Sequence, residues 1–433
     1  MKILLPAPVL MALDQLERGG HEAFVVGGCV RDSLLLKTPD DWDICTSAMP
    51  DEIKACFSMC RTIDTGIKLG TVMVIIDRME LQITTYRLDS AYSDYRRPDQ
   101  VFFTPSLQED CRRRDFTINA MAYNPKGGLM DFFGGLDDLN NKRIRCVGDA
   151  NERFAEDALR ILRALRFSSI LRYRVEENTA FAIGNNKQLL KRISVERIAC
   201  EVNKLLMGDN VERVLTEFAE VFGVLLPEVS FCTLRKDVSG ADVWKHTALS
   251  ISKAPLDLPV RLALLFHEIE SDPPHSALAA RRTLKQFKYD NDTLQKTVSL
   301  VENQSIYIEN SNASILRQFK RFGSDIFINL LELREACLKG RQIDREQLNL
   351  VIACRKKAME ILSGDYCWSV SQLHIDGNDL IEAGLKEGVK IGECLDLLTD
   401  HVIQGYVKNK KEDLIRYVMN ILDMDSQTSH IGH

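Results

Sequence analysis

Asp40-Asp41-Trp42-Asp43-Ile44-Cys45-Thr46 is the first stretch whose residue types could do chemistry. Trp42–Cys45 reads as a short strand, and strand residues two apart point to the same face. Asp41 and Asp43 then project together, about 6–7 Å apart at Cα. Two acids held so close repel unless a cation sits between them. A hard ion such as Mg²⁺ takes oxygen ligands and bridges to phosphate. Taken alone, the pair also fits a solvated acidic turn. Just upstream, Val26-Gly27-Gly28-Cys29-Val30-Arg31-Asp32 reads as a strand end, two glycines and a helix start. Backbone amides at Gly28 can approach an anion closely, because glycine lacks Cβ, and Arg31 can add a charged contact.

The elements that must position these groups alternate strand and helix signals over about the first 140 residues. Ala23–Val26 is an apolar run stopped by Gly27–Gly28, and Val30–Leu36 reads as a helix ending near Pro39. Pro50 opens another helix. Thr71–Asp77 and Glu80–Tyr86 read as a hairpin joined at Asp77-Arg78-Met79. From Asp149 the pattern is helical, with Asp149 and Glu152 at capping-box spacing. Over residues 151–170, taken as one helix, Ala158, Leu159, Ile161, Leu162 and Leu165 gather on one side. Arg153, Glu156, Asp157, Arg160 and Arg163 gather on the other, with Arg166 at the margin. A solvated face of Asp–Arg pairs would have the same pattern.

The chain has 433 residues, 45% hydrophobic and 27% charged, enough for two to four domains. A run of 18 apolar residues is absent from the sequence, which excludes a helical membrane span. The start, to Gly19–Gly20, reads as an amphipathic helix rather than a signal peptide. Net charge is −6, so a nucleic-acid partner must meet a local basic surface. Residues 151–200 supply one, with ten Lys/Arg against six Asp/Glu. The 12 cysteines are scattered, and Cys200, Cys337 and Cys354 sit among apolar neighbours. They read as reduced core thiols of a cytoplasmic protein.

Three motifs in order carry a resemblance: Gly27-Gly28-x-Val30-Arg31-Asp32, Asp41-x-Asp43, and Arg113-Arg114-Asp115-Phe116-Thr117-Ile118-Asn119. Tyr86-Arg87-x-Asp89, Tyr92-x-Asp94, Arg96-Arg97-Pro98, Glu156-Asp157-Ala158-Leu159-Arg160-x-x-Arg163 and Glu196-Arg197-Ile198 follow. Together they resemble class II tRNA nucleotidyltransferases, the CCA-adding enzymes, and the related bacterial poly(A) polymerases. The resemblance is strongest over about residues 22–205.

It implies an α+β chain with a polymerase-β-like head over 1–140. A base-recognising neck over 141–210, a body over 211–365 and a tRNA-binding tail over 366–433 would be helical. It implies Mg²⁺ on Asp41 and Asp43, and nucleotide contacts from Gly28, Arg31, Arg114, Asp157, Arg160, Arg163 and Arg166. The implied partners are tRNA, CTP and ATP. An Asp157–Arg160 pair offers an acceptor beside a donor, which suits the edges of C and A and rejects U and G. Thr65-Gly66-Ile67-Lys68-Leu69-Gly70-Thr71 is of the CCA-type form rather than the poly(A) form. The loop near residues 87–98 looks complete, unlike that of a CC-only enzyme. An A-only enzyme shares the pattern.

Two departures stand out. The family's third acid is replaced by Gln82, with Glu80 two residues earlier as a substitute. His246, His267-Glu268 and His275 look like fragments of an HD phosphohydrolase, with His-Glu where His-Asp is needed. Leu300-Val301-Glu302-Asn303-Gln304 lacks the later ligand. A packed remnant is expected there rather than a working phosphohydrolase. Gly377-Asn378-Asp379-Leu380-Ile381 and Asn409-Lys410-Lys411-Glu412-Asp413-Leu414 resemble the tail of Gram-positive-type CCA enzymes.

Overall fold

The computed structural model describes residues 2–89, 101–236, 240, 242–341, 344–385 and 388–428, with backbone only at 65, 89, 231 and 421–428. The loop motifs Tyr92-x-Asp94 and Arg96-Arg97-Pro98 lie outside the described residues. Two compact units are present: Met1–Leu234 with Gln286–Lys288, and Arg235–Lys285 with Tyr289–His433.

The first unit begins with α1 (Ala7–Arg18), β1 (Ala23–Val26), α2 (Gly28–Leu34), β2 (Asp43–Thr46) and α3 (Pro50–Cys56). Then come β3 (Arg61–Gly66), β4 (Thr71–Ile76), β5 (Met79–Thr85), β6 (Arg87–Asp89) and β7 (Val101–Phe103). They are followed by α4 (Leu107–Arg112), β8 (Met121–Asn124), β9 (Gly128–Asp131), α5 (Gly135–Asn140) and β10 (Arg143–Ile144). α2 and β2 have the lengths the sequence pattern suggests but are displaced: α2 starts and stops two residues earlier, and β2 starts and stops one residue later. Asp41 therefore precedes the strand instead of lying on it. The hairpin forms as expected: Asp77 and Arg78 take φ of 48° and 68°, the left-handed pair that matches strand twist in a two-residue turn.

Seven strands form one mixed sheet in the order β3-β4-β5-β2-β1-β8-β9. Only the β2–β5 neighbours run parallel. The register decides what meets at the sheet's end. β1 pairs antiparallel with β2, Val25 opposite Ile44, and with β8, Val26 opposite Ala122. The end of β1, the start of β2 and the start of β8 therefore share one edge. The glycine pair follows the first, the acid pair opens the second, and the Arg114–Asn119 stretch leads into the third. Val26, Cys45, Tyr86, Cys111, Ala120 and Ala122 form the apolar layer beneath.

The helical part of this unit holds α6 (Ala150–Glu156), α7 (Leu159–Leu171), β11 (Arg174–Val175), α8 (Glu177–Asn186) and α9 (Val195–Leu206). It closes with α10 (Val211–Glu217), α11 (Ala219–Leu225) and α12 (Pro227–Cys232). The Asp149 carboxylate accepts the Asn151 and Glu152 amides and starts α6. Residues 151–170 are not one helix. Asp157 is extended, φ −140° and ψ 100°, and its carboxylate accepts the Leu159 amide at 3.0 Å. A short acid competes with the helical backbone in this way, so Asp157 ends α6 and begins α7.

The second unit is helical: α13 (Val243–Lys253), α14 (Leu258–Phe266), α15 (Pro273–Gln286), α16 (Asn291–Glu302), α17 (Asn312–Phe322) and α18 (Ser324–Arg341). α19 (Arg345–Ser363), α20 (Gly377–Glu382), α21 (Val389–Gln404) and α22 (Lys411–Thr428) complete it. Cys367, Leu373, Leu380, Leu395, Leu398 and Leu414 form the core of its last part. There the two tail motifs meet: Lys411 pairs with Asp379, and Asn409 accepts the His374 amide at 2.9 Å. All 12 cysteines are free thiols. Cys200 is exposed on α9, against the expectation of a core position, because it lies on the helix face opposite Ile198, Leu205 and Leu206. Among the described residues, no helix is long and apolar enough to cross a membrane.

Candidate active site

A cavity of about 630 Å³ opens at the shared edge of β1, β2 and β8. Its wall carries the carboxylates of Asp32, Asp40, Asp41, Asp43 and Asp115. It also carries the cations Arg31, Lys37, Arg114, Arg163, Arg166 and Lys204. Asp43 opens β2 and Asp41 precedes it, while Arg31, Arg163, Arg166 and Lys204 stand on helices.

Asp41 is exposed and Asp43 half-buried. Burial raises the Asp43 carboxyl above the ordinary range, the Asp41 charge raises it further, and Arg114 partly offsets both. The donors are oxygens only and open to the cavity, which fits a hard divalent ion. Gln82 is the direct strand neighbour of Asp43 in the β2–β5 register, and Glu80 lies two residues earlier on the same face. Both are exposed.

Gly27 has φ 86° and ψ −129°, a conformation essentially restricted to glycine. A Cβ there would also meet Arg114 Nη1 at 3.2 Å. Four of the six cations, Arg31, Arg114, Arg163 and Arg166, are tied to carboxylates. Arg31 donates to Asn119 Oδ1 at 2.6 Å and to both Asp32 oxygens at 2.9 and 2.8 Å. Asp110, fully buried, pairs with Arg113 at 2.7 Å and Arg114 at 3.2 Å. Asp115 accepts from Arg163 Nε at 2.8 Å, Asn119 Nδ2 at 3.0 Å and its neighbour's amide, Phe116 N–H, at 2.8 Å. Burial alone would raise the Asp115 carboxyl. The Arg163 charge and the Asn119 bond outweigh it and hold the group well below the ordinary range. Glu201 on α9 lies 3.2 Å from Arg166 and 3.8 Å from Arg163.

Phe167 ties three of these cations together. The guanidinium carbons of Arg166, Arg31 and Arg163 lie 4.2, 4.9 and 5.6 Å from its ring centroid. Phe116 meets the same ring edge-on at 5.8 Å. Sequence reasoning passed over Phe167 and Lys204, and it named Asp32 and Asn119 only as motif members without a role. The one signal available was an aromatic directly after Arg166 and four residues after Arg163.

The geometry brings Gly28, Arg31, Asp41, Asp43, Arg114, Arg163 and Arg166 to one cavity. Asp157 and Arg160 stand outside its lining. Asp157 pairs with Arg197 at 2.8 Å. Arg160 is nearly buried and reaches Glu156 at 2.5 Å and the carbonyl oxygens of Arg113 and Arg153 at 3.0 and 3.1 Å. The break at Asp157 is the reason the two do not share one helix face.

Comparison with known proteins now bears on the site. The chain is 36% identical over 425 residues to the CCA-adding enzyme of Enterococcus faecalis, covering 95% of this chain and 94% of that one. The CCA-adding enzyme of Ligilactobacillus salivarius is 37% identical over 422 residues, with 96% of each covered. The chain belongs to the CCA-adding enzyme family, the CCA tRNA nucleotidyltransferases. Family models agree in order: the poly A polymerase head domain over residues 23–145 and a probable RNA- and SrmB-binding site of polymerase A over 172–232. A tRNA nucleotidyltransferase domain 2 follows over 263–418. The crystal structure of the Bacillus stearothermophilus CCA-adding enzyme in complex with CTP matches at TM-score 0.75 and 28% identity, over 98% of this chain and 100% of that one. The Thermotoga maritima CCA-adding enzyme complexed with tRNA shares the fold at TM-score 0.63 and 19% identity, over 98% and 100%. Membership in this family implies a divalent metal cofactor, which the oxygen donors of Asp41 and Asp43 suit.

Proposed function

We propose that this chain adds the 3′-terminal C, C and A to tRNA from CTP and ATP, with no nucleic-acid template, and releases pyrophosphate. The observation that carries the reading is one cavity holding the acid pair, the glycine turn and six cations in a member of the CCA-adding family. The tRNA 3′-hydroxyl attacks the α-phosphorus of the nucleotide. Asp41 and Asp43 would hold Mg²⁺, which supplies a lowered pKa for the attacking hydroxyl and neutralises charge on the triphosphate. Arg31, Arg114 and Lys37 line the path of the triphosphate and balance its charge. The left-handed turn at Gly27 lets the chain at Gly28 approach phosphate oxygens without a Cβ.

Arg163, held by Asp115, would contact base and ribose, and Arg166, held by Glu201 and Phe167, would contact the nucleotide beside it. Asp157 and Arg160 read the base edge. In the present arrangement they face Arg197 and Glu156, so reading a base requires each to exchange its partner. A head, neck, body and tail with boundaries near residues 140, 210 and 365 would divide chemistry, base choice and tRNA grip. tRNA and the two nucleotides are the proposed partners.

The test is incubation of tRNA lacking one, two or three 3′ nucleotides with each nucleoside triphosphate and Mg²⁺, resolved on a sequencing gel. Stepwise C, C and A addition is expected. Extension only of tRNA lacking the final A would replace the reading with an A-adding enzyme. Absence of any incorporation would overturn it.

A further inference from the structure

The helical second unit holds a cluster that nucleotide addition does not use. α13 carries His246, the turn after α14 carries His267 and Glu268, and α18 carries Cys337. The imidazoles are 5% and 4% exposed. His275, the third histidine of the sequence reading, is exposed and bound to Asp272 instead. The two Nε2 atoms lie 3.4 Å apart, and each is 3.7 Å from Glu268 Oε2. A point equidistant from three donors at these separations lies about 2.1 Å from each, which is a Zn–N or Zn–O bond length. His246, His267 and Cys337 also each offer a ligand atom within 4.8 Å of the others.

The surroundings hold these donors in ligand orientation. His267 Nδ1 donates to the Leu264 carbonyl at 2.6 Å, which leaves the lone pair of the neutral ring on Nε2, toward His246. His246 Nδ1 faces Ser250 Oγ at 3.4 Å. Arg341 binds the Oε1 atom of Glu268 and Arg235 binds its backbone carbonyl, while Oε2 faces both histidines. Such outer partners fix ring tautomer and carboxylate orientation in metal sites. Gly340 supplies an independent sign of selection for closeness. A Cβ at that position on α18 would lie 2.4 Å from Ser250 Oγ and 3.1 Å from His246 Nδ1. A larger residue at 340 would displace the Ser250 hydroxyl and crowd the His246 ring.

We propose that His246, His267, Glu268 and Cys337 bind one divalent transition-metal ion of the zinc class, tying α13, the end of α14 and α18 together. Two imidazoles and a thiolate select zinc or cobalt over magnesium, in contrast to the oxygen-only donors of the head. Four ligands from the chain make a closed, structural site rather than a hydrolytic one, which keeps a position open for water. Cys337 would enter as a thiolate with a longer bond of about 2.3 Å.

The test uses the full-length chain, stripped with a chelator and titrated with Co²⁺ in excess Mg²⁺, which occupies the hard carboxylate site. One Co²⁺ per chain is expected, with the intense visible bands of tetrahedral cobalt and a near-ultraviolet thiolate charge-transfer band. Stoichiometric Zn²⁺ should displace both and raise the melting temperature. Cys337→Ser should lose the charge-transfer band, and His267→Gln should weaken binding at least about tenfold. Circular dichroism of each variant confirms folding. Absence of cobalt bands in the wild-type chain, or bands unchanged in both variants, would overturn the proposal. Nucleotide incorporation by the same samples reports the head separately, so either reading can fail without the other.

Discussion

At the scale of single residues, the acid pair was legible and its third partner was not. Asp41 and Asp43 announce themselves by type and spacing. The structure adds that Asp43 is half-buried and faces Gln82 across the parallel β2–β5 pair. Glu80 lies two residues before Gln82 on the same face of β5, so both positions are on the strand face beside Asp43. Gln82→Glu is expected to leave addition equal or faster, because it returns a charge beside Asp43. Glu80→Ala should slow the natural chain about tenfold or more and the Gln82→Glu chain less, on the scale of one lost ligand among several. Steady-state rates at several Mg²⁺ concentrations check this, since a lost ligand raises the Mg²⁺ needed. If Glu80→Ala is silent in both backgrounds, Glu80 does not serve the ion. Phe167 illustrates what spacing cannot show. It falls on the buried side of α7 like any core residue, and only the fold surrounds it with three guanidinium groups.

Elements decide which side chains can act together, and here periodicity misled. Residues 151–170 have a good amphipathic pattern, but an Asp competes with the helical backbone for its own amides. The break at Asp157 turns one helix into two. Arg160 consequently leaves the expected solvated face and packs against the Arg113 carbonyl and Glu156. Base choice tests whether that placement still reads nucleotides. Arg160→Ala is expected to cost about 1–3 kcal/mol of discrimination, seen as a lower ratio of kcat/KM for CTP and ATP over UTP and GTP on one tRNA. Uniform slowing with unchanged ratios would make the pair structural.

Asp115 joins the strand edge to α7 through Arg163, and its depressed pKa makes this link pH-dependent. A carboxyl whose folded pKa lies below its unfolded value binds fewer protons when folded. Its stabilisation is present above about pH 4 and is lost as pH falls below that. Asp115→Asn should lower stability by about 2 kcal/mol at pH 7, with the gap to wild type closing in strong acid. Urea unfolding at pH 7, 5 and 3 measures it. A constant gap at all three would exclude the carboxylate charge as the cause.

For the whole molecule, a net charge of −6 must be reconciled with a polyanionic partner. The balance is local: residues 151–200 hold ten Lys/Arg against six Asp/Glu, while the acid pair Asp41 and Asp43 stands at one sheet edge. Net charge therefore said little about function, and the motif order said a great deal. Motifs far apart in the chain meet because β1, β2 and β8 present their ends to one edge, a fact of register invisible to spacing. Screening at physiological salt limits the reach of any charge to about 8 Å, so chemistry and tRNA grip should separate on mutation. Asp41→Asn with Asp43→Asn is expected to abolish incorporation. It should leave the tRNA Kd within about threefold of wild type, and leave the slope of log Kd against log salt unchanged, because that slope counts phosphate contacts by Lys and Arg. Filter binding at four salt concentrations, run beside the incorporation assay, checks both. Near-normal turnover in this double variant would remove the acid pair from the reaction. A tenfold loss of tRNA affinity with a changed slope would instead place the primer's phosphates in the same cavity as the triphosphate, and the two tasks would not be separable by region.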